Sequence, residues 1–333
     1  MSMDIREQAL ANLPKYLNET DASWAFLGDF RGFPKITGDI DIAFDSRALN
    51  KFGHTLKLWS EQYEFKLIQV FQHEISSWFL IYVHISESGL LFIHPDICTD
   101  YRRSGRLILA EKILLNERIK VQESLKEGSW FEPRESYQFI YYLVKRLEKK
   151  RVREEHVLFF RQLMDKNQSE IKKILCDFFG SRLGIEIQNI LNRDNSNVQC
   201  AKELMQLGKN TNLKFKTSFM TRIKTLLKNW YRLKNPTGLI VSCPNHPEIL
   251  ESLAKRWSLA FREIYHVPID RPFPSNILSL LRRSTLVCCS HKNIPINAVV
   301  IDPTLKHHFE IDNVILEALL SRRARYLPSW LRV

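Results

Sequence analysis

At 333 residues the chain is longer than one domain usually runs, which predicts two or three units. With 44% hydrophobic and 26% charged residues it can bury a core, and the lack of any apolar run of about 18 residues excludes a membrane-spanning helix. A net charge of +12 favours anionic partners, and six cysteines without CxxC spacing indicate neither a zinc site nor a disulfide framework.

Residues 1–13 lack the basic-then-apolar order of a secretory signal, so a cytoplasmic protein is expected. The spacing of Leu10, Leu13 and Leu17 predicts a helix over 4–18. The apolar run 24–27 stops at Gly28 and reads as a buried strand ending in a tight turn. A loop with Gly32 and Pro34 leads to Gly38. In 39–44 acidic and apolar residues then alternate with period two, the pattern of a strand with one ligand-facing side. A helix is expected over 46–63, followed by strands at 65–71, 78–85 and 90–97, the last two joined by a hairpin at 86–89.

Beyond Gly105 the pattern turns helical, with helices expected at 106–116, 133–150, 153–164, 168–179, 181–192 and 197–207. The segment 209–234 holds eight lysines and arginines and no acidic residue, interleaved with Phe215, Phe219, Ile223, Leu226, Leu227 and Trp230. Three readings stand for it: a helix with a solvated basic face, a nucleic-acid contact, and an anionic membrane contact. Past Pro236 and Gly238, strands at 239–241, 285–289 and 298–301 alternate with helices at 248–261 and 310–322, predicting a small parallel α/β unit.

Asp39 and Asp41, two apart on a strand, point to one side with side chains roughly 6–7 Å apart. Adjacent anions repel unless a cation lies between them, and oxygen donors suit Mg²⁺ or Mn²⁺. Asp96, at the end of the 90–97 strand, is the expected third carboxylate of a two-metal site, with Asp100 as the alternative. A turn at Gly28 would bring backbone N–H groups close to a phosphate, and Arg31 and Lys35 could neutralise it. His94, two before Asp96, is expected to support the site structurally.

The run Phe26-Leu27-Gly28, a loop, then Gly38-Asp39-Ile40-Asp41-Ile42 resembles the signature of the polymerase-β-type nucleotidyltransferase superfamily. The resemblance implies that Asp39, Asp41 and Asp96 hold the metals and carry catalysis. Gly28, Asp29, Gly38, Arg31 and Lys35 would then border the nucleotide. The order of segments further resembles bacterial polysaccharide-locus proteins that join such a domain to a thymidylate-kinase-like P-loop domain. The shared features are Gly32-Phe33-Pro34, Asp96 followed by Arg103 and Gly105, Phe178-Phe179-Gly180 and Pro236-Thr237-Gly238.

Two departures stand out. Asp29 follows Gly28 where a small residue is usual, and an anion there repels a triphosphate. Where a P-loop needs glycines, a lysine and a hydroxyl, this chain has Ser242-Cys243-Pro244-Asn245-His246-Pro247, so kinase chemistry is not expected.

The expected fold is α+β: a nucleotidyltransferase-like mixed sheet over 1–120, a helical domain over 121–234 and a degenerate P-loop-like α/β unit over 235–333. The expected activity is transfer of a nucleoside monophosphate from an NTP to a hydroxyl or phosphate acceptor, sugar or lipid-linked, at the inner face of the membrane. Two alternatives are a non-catalytic scaffold built from inactive folds and an RNA-binding nucleotidyltransferase.

Overall fold

The computed structural model describes residues 4–332, apart from 31, 37, 104, 123–128, 194, 211–218, 235–236, 268–276, 278–280, 282–283, 291–296, 306 and 324–326. It is an α+β chain, and the calls on Arg31 and on much of the basic 209–234 stretch lie outside the described residues.

Helix α1 (Ile5–Asn18) starts where the Asp4 carboxylate accepts the Glu7 backbone N–H. Strands β1 (Trp24–Phe26) and β2 (Ile40–Phe44) follow, then α2 (Leu49–Gln62), β3 (Lys66–Glu74), β4 (Ser77–Ser86), β5 (Gly89–Ile93) and β6 (Pro95–Cys98). The order β1-β2-β6-β4-β3, with β5 also on β4, makes a mixed sheet in which only β2–β6 is parallel.

The strand expected over 90–97 is two. Pro95 has no N–H to continue the β5 ladder on β4, so pairing breaks at His94–Pro95; β6 then resumes on β4 and takes β2 on its other edge.

The helix expected over 106–116 is also corrected. Strands β7 (Tyr101–Arg103) and β8 (Arg106–Leu109) form a hairpin turned at Gly105, whose φ is +76°, and only α3 (Glu111–Asn116) is helical. Arg106–Leu109 is held extended by its pairing with β7, and the extended Ala110 caps α3. The hairpin β9 (Ile119–Gln122) and β10 (Ser129–Glu132) was not foreseen.

Helices α4 (Glu135–Glu148), α5 (Glu154–Lys166), α6 (Gln168–Phe179), α7 (Ser181–Asn192), α8 (Asn197–Asn210) and α9 (Phe219–Lys234) form the middle of the chain. The end holds β11 (Leu239–Ser242), α10 (Pro247–Arg256), β12 (Glu263–Val267), β13 (Thr285–Cys289), β14 (Val299–Val300) and α11 (His308–Arg323). Its sheet is parallel, in the order β12-β13-β11-β14.

Residues paired across strands share a face, so the sheet's two sides can be read from the register. On one side Phe26, Ile40, Ile42, Phe44, Leu80 and Tyr82 pack under α1 and α2. The opposite side is divided. Ala25, Ala43 and Cys98 pack against the middle helices, whereas Ile81, Val83 and Phe92 share a core with Leu253, Trp257 and Ile315 of the C-terminal unit. Asp39, Asp41 and Asp96 lie on that divided side, at the seam between the two covers.

Candidate active site

Asp41 on β2 and Asp96 on β6 are direct partners in the parallel register. Asp39 lies one residue before β2 and two before Asp41, beside the same cleft. The sheet thus brings the three sequence-predicted carboxylates to one edge. Among the described residues, however, no three His, Cys, Asp or Glu side chains converge in ready metal-ligand geometry. Lys145 accounts for part of this: it reaches down from α4 and its ammonium pairs with Asp41 Oδ2, also donating to Tyr141 Oη at 3.2 Å. Its side chain is 7% exposed and that of Asp41 13%, so this is a buried pair.

The carboxylates are crowded. Burial, then the charge of Asp41, holds the Asp39 carboxyl above its ordinary range. Asp96 is raised much further, by burial first and then by Asp41. His73 on β3 places Nε2 3.4 Å from Asp96 Oδ1, and burial, then the Arg103 charge, pushes its imidazole down to about 4. The neutral imidazole therefore gives the raised Asp96 carboxyl no countercharge. Asp39, Asp41 and Asp96 are hard oxygen donors of the kind that bind Mg²⁺, placed along one sheet edge but not gathered into ligand geometry.

Toward the middle helices the site opens into a cleft of about 450 Å³ lined by Asp29, Lys35, Gly38, Asp39, Asp41, Tyr142, Lys145, Arg146 and Lys149. Lys145 and Lys149 stand one helical turn apart, and burial followed by the Lys145 charge lowers the Lys149 pKa. The Arg146 guanidinium lies 4.5 Å from the Tyr142 ring centroid and donates to Tyr142 Oη at 2.8 Å. The cleft is therefore a cationic wall opposite carboxylates.

Gly28 turns the chain at its rim with φ +108°, a conformation reserved for glycine, and its carbonyl accepts the Gln138 side-chain amide at 2.9 Å. Asp29 faces the same cleft. Gly38 has no positive φ and open space around its Cα, so no steric demand fixes glycine there.

Asp100 is occupied elsewhere: it pairs with Arg102 at 2.8 Å and accepts the Glu111 backbone N–H at 3.0 Å. His94 sits between β5 and β6, stacked on Phe79 and Phe92 with centroids 5.5 and 6.1 Å away. The residues that sequence reasoning missed are Lys145, Arg146, Lys149 and His73. A cationic stripe at three- and four-residue spacing beside Tyr142 was visible in the 133–150 helix, but its apolar face dominated the pattern. Nothing local marks His73.

The arrangement sets cationic side chains of α4 across a cleft from carboxylate oxygens. No protein-family model and no curated protein matches the chain. Solved structures similar to it include the crystal structure of JHP933 from Helicobacter pylori, with 12% identity, 61% of this chain and 89% of that chain covered, and TM-score 0.34. Another is a crystal structure described as a "putative nucleotidyltransferase" from H. pylori, with 11% identity, 61% and 92% covered, and TM-score 0.30. Likeness at that level decides neither the fold in detail nor the activity.

Proposed function

We propose that the chain is a nucleotidyltransferase that moves a nucleoside monophosphate from an NTP to a hydroxyl or phosphate acceptor. The observation that carries this reading is the parallel register of Asp41 and Asp96, with Asp39 beside them and the cationic cleft of Lys35, Arg146 and Lys149 adjoining.

The triphosphate binds along Lys35, Arg146 and Lys149, and the Gly28 turn lets the backbone approach it. The acceptor oxygen attacks the α-phosphorus, the bond from that phosphorus to the β-bridging oxygen breaks, and pyrophosphate leaves. The acceptor proton passes to Asp96, which the β2–β6 register sets beside Asp41. Asp39, Asp41 and Asp96 would hold Mg²⁺ or Mn²⁺, which when bound supplies charge neutralisation for the attacking and leaving oxygens.

Isothermal titration with each NTP, with and without Mg²⁺, tests this. Metal-dependent affinity lost in Asp41→Asn supports it, and affinity indifferent to that change refutes it.

A second reading, a non-catalytic scaffold, is favoured by Lys145 on Asp41, by Asp29 in the cleft and by the Pro244–Pro247 loop after β11. It expects no Mg²⁺-dependent nucleotide affinity.

A further inference from the structure

The sheet register continues past the carboxylates. Asp41 pairs with Asp96, Asp96 pairs with Phe79, and Phe79 pairs with Phe71, so four side chains on four strands stand in one row on one face. Two carboxylates thus run directly into two aromatic rings, whose centroids are 6.4 Å apart. That aromatic end forms the floor of a second cavity, of about 730 Å³, which shares Asp39 with the cationic cleft and adds Asp96 and His73. Its far wall comes from the C-terminal unit, through Leu259 and Phe261 in the segment that follows α10. Leu259 is 62% exposed although it faces this cavity, an apolar side chain left in water.

Two of the cavity's polar atoms lack partners. His73 Nδ1 and His94 Nε2 are buried and make no hydrogen bond, and the His94 ring stacks on Phe79 and Phe92. The Arg6 guanidinium, also in the lining, is spent on the Phe92 and Ile36 carbonyls at 2.9 and 2.7 Å. Ser258 Oγ and Ser284 Oγ are likewise engaged, donating to the Lys255 carbonyl at 2.9 Å and to Gln69 Oε1 at 3.2 Å. The aromatic and aliphatic wall that remains suits an apolar body carrying one polar end.

We propose that this cavity is the acceptor site and that its substrate is an alcohol with an apolar aliphatic or aromatic body. The proposal rests on the nucleotidyl-transfer reading. The body lies against Phe71, Phe79, Phe92, Leu259 and Phe261, with the hydroxyl at the Asp39–Asp96 end. There its oxygen forms the new bond to the α-phosphorus of the NTP, pyrophosphate departs into the cationic cleft, and the hydroxyl proton goes to Asp96. The C-terminal unit, stripped of P-loop chemistry, is on this account the half of the acceptor pocket that selects apolar substrates.

The test uses the full chain and geraniol, a ten-carbon alcohol, as probe, with methyl glucoside as competitor. Geraniol should bind saturably. Leu259→Gln, at an exposed position that leaves folding intact, should weaken it at least fivefold. Leu158→Gln, an exposed leucine on α5, should not, and methyl glucoside should not compete. Absence of saturable geraniol binding, equal effects of the two variants, or displacement by the glucoside overturns the proposal.

Mg²⁺·NTP affinity is titrated separately on the same samples. Nucleotide binding without geraniol binding overturns the apolar acceptor alone. Geraniol binding without nucleotide binding overturns the transfer reading and the acceptor role with it. Label passing from an α-phosphate-labelled NTP to geraniol, reduced in Leu259→Gln, supports both.

Discussion

Lys145 and Asp41 form an ion pair across the junction of helix and sheet, the ammonium of α4 seated on the carboxylate of β2. The pair ties the middle helices to the strand that carries the site. It also holds positive charge where the carboxylates most need it.

Replacing Lys145 with Met strands a buried carboxylate. Loss of one partner of such a pair costs about 3–5 kcal/mol, so the urea midpoint should fall substantially. If the carboxylates take a divalent cation, added Mg²⁺ should raise the midpoint of Lys145→Met more than that of the parent. An equal Mg²⁺ response in the two proteins counts against the cation site.

His156 gives a pH signature beside the cationic wall, its ring centroid 5.5 Å from that of Tyr142. Its side chain is 6% exposed, its Nδ1 accepts the Arg153 N–H at 3.0 Å, and burial, then the Arg146 charge, lowers its pKa to about 4. The folded state keeps the ring neutral while the unfolded chain takes up a proton near its ordinary value of about 6.5. The stability contributed by His156 is therefore complete above about 6.5, declines as pH falls toward 4, and changes no further below that. Urea midpoints measured from pH 7.5 to 4 should show a shallower decline in His156→Gln than in the parent. Parallel curves would contradict this.

Gly28→Ala isolates backbone strain from crowding. An added Cβ would lie 3.5 Å from the Tyr142 ring, an ordinary contact, so only the φ of +108° resists. A cost of about 1–3 kcal/mol is expected, together with weaker nucleotide affinity as the turn shifts. An unchanged melting temperature would mean that the turn tolerates a side chain.

Asp312 anchors the C-terminal unit. It is 2% exposed and accepts from Trp257 Nε1 at 2.8 Å and from Arg256 Nη2 at 3.0 Å. Asp312→Leu leaves both donors unpaired and should destabilise the protein by about 3–5 kcal/mol, read as a shift of Trp fluorescence and of the urea transition. Asp312→Asn keeps one acceptor and should recover part of the loss.

Much of this architecture could be read from the residues, for identifiable reasons. The period-two alternation in 39–44 gave β2 within one residue, and leucine spacing gave α1 likewise. Such patterns record burial on one face, which local sequence carries. The hairpins at β7–β8 and β9–β10 and the edge strand β12 carry no such pattern. Exposure along β12 is nearly continuous from Glu263 to His266, and its strand character comes from pairing with β13.

The same distinction applies at the site. Asp39 and Asp41 are neighbours in sequence and announce themselves, whereas Asp96 faces Asp41 only through the parallel register of β6 with β2. Lys145 and His73 reach the carboxylates through tertiary packing alone. The apolar row of Phe71 and Phe79 needed the register of four strands before it had a meaning.

The shared core of the first sheet and the last strands has a consequence for synthesis. While the chain grows, Ile81, Val83 and Phe92 emerge early, yet their partners Leu253, Trp257 and Ile315 are translated near the end. Trp330 comes later still, and its carbonyl closes so tightly over Gly53 that a Cβ there would meet it at 1.9 Å. The N-terminal sheet must therefore wait with one flank uncovered until the final helix has left the ribosome. During that interval the nascent chain displays the surface that chaperones bind, and ribosome-stalled fragments ending before β11 should be held by them.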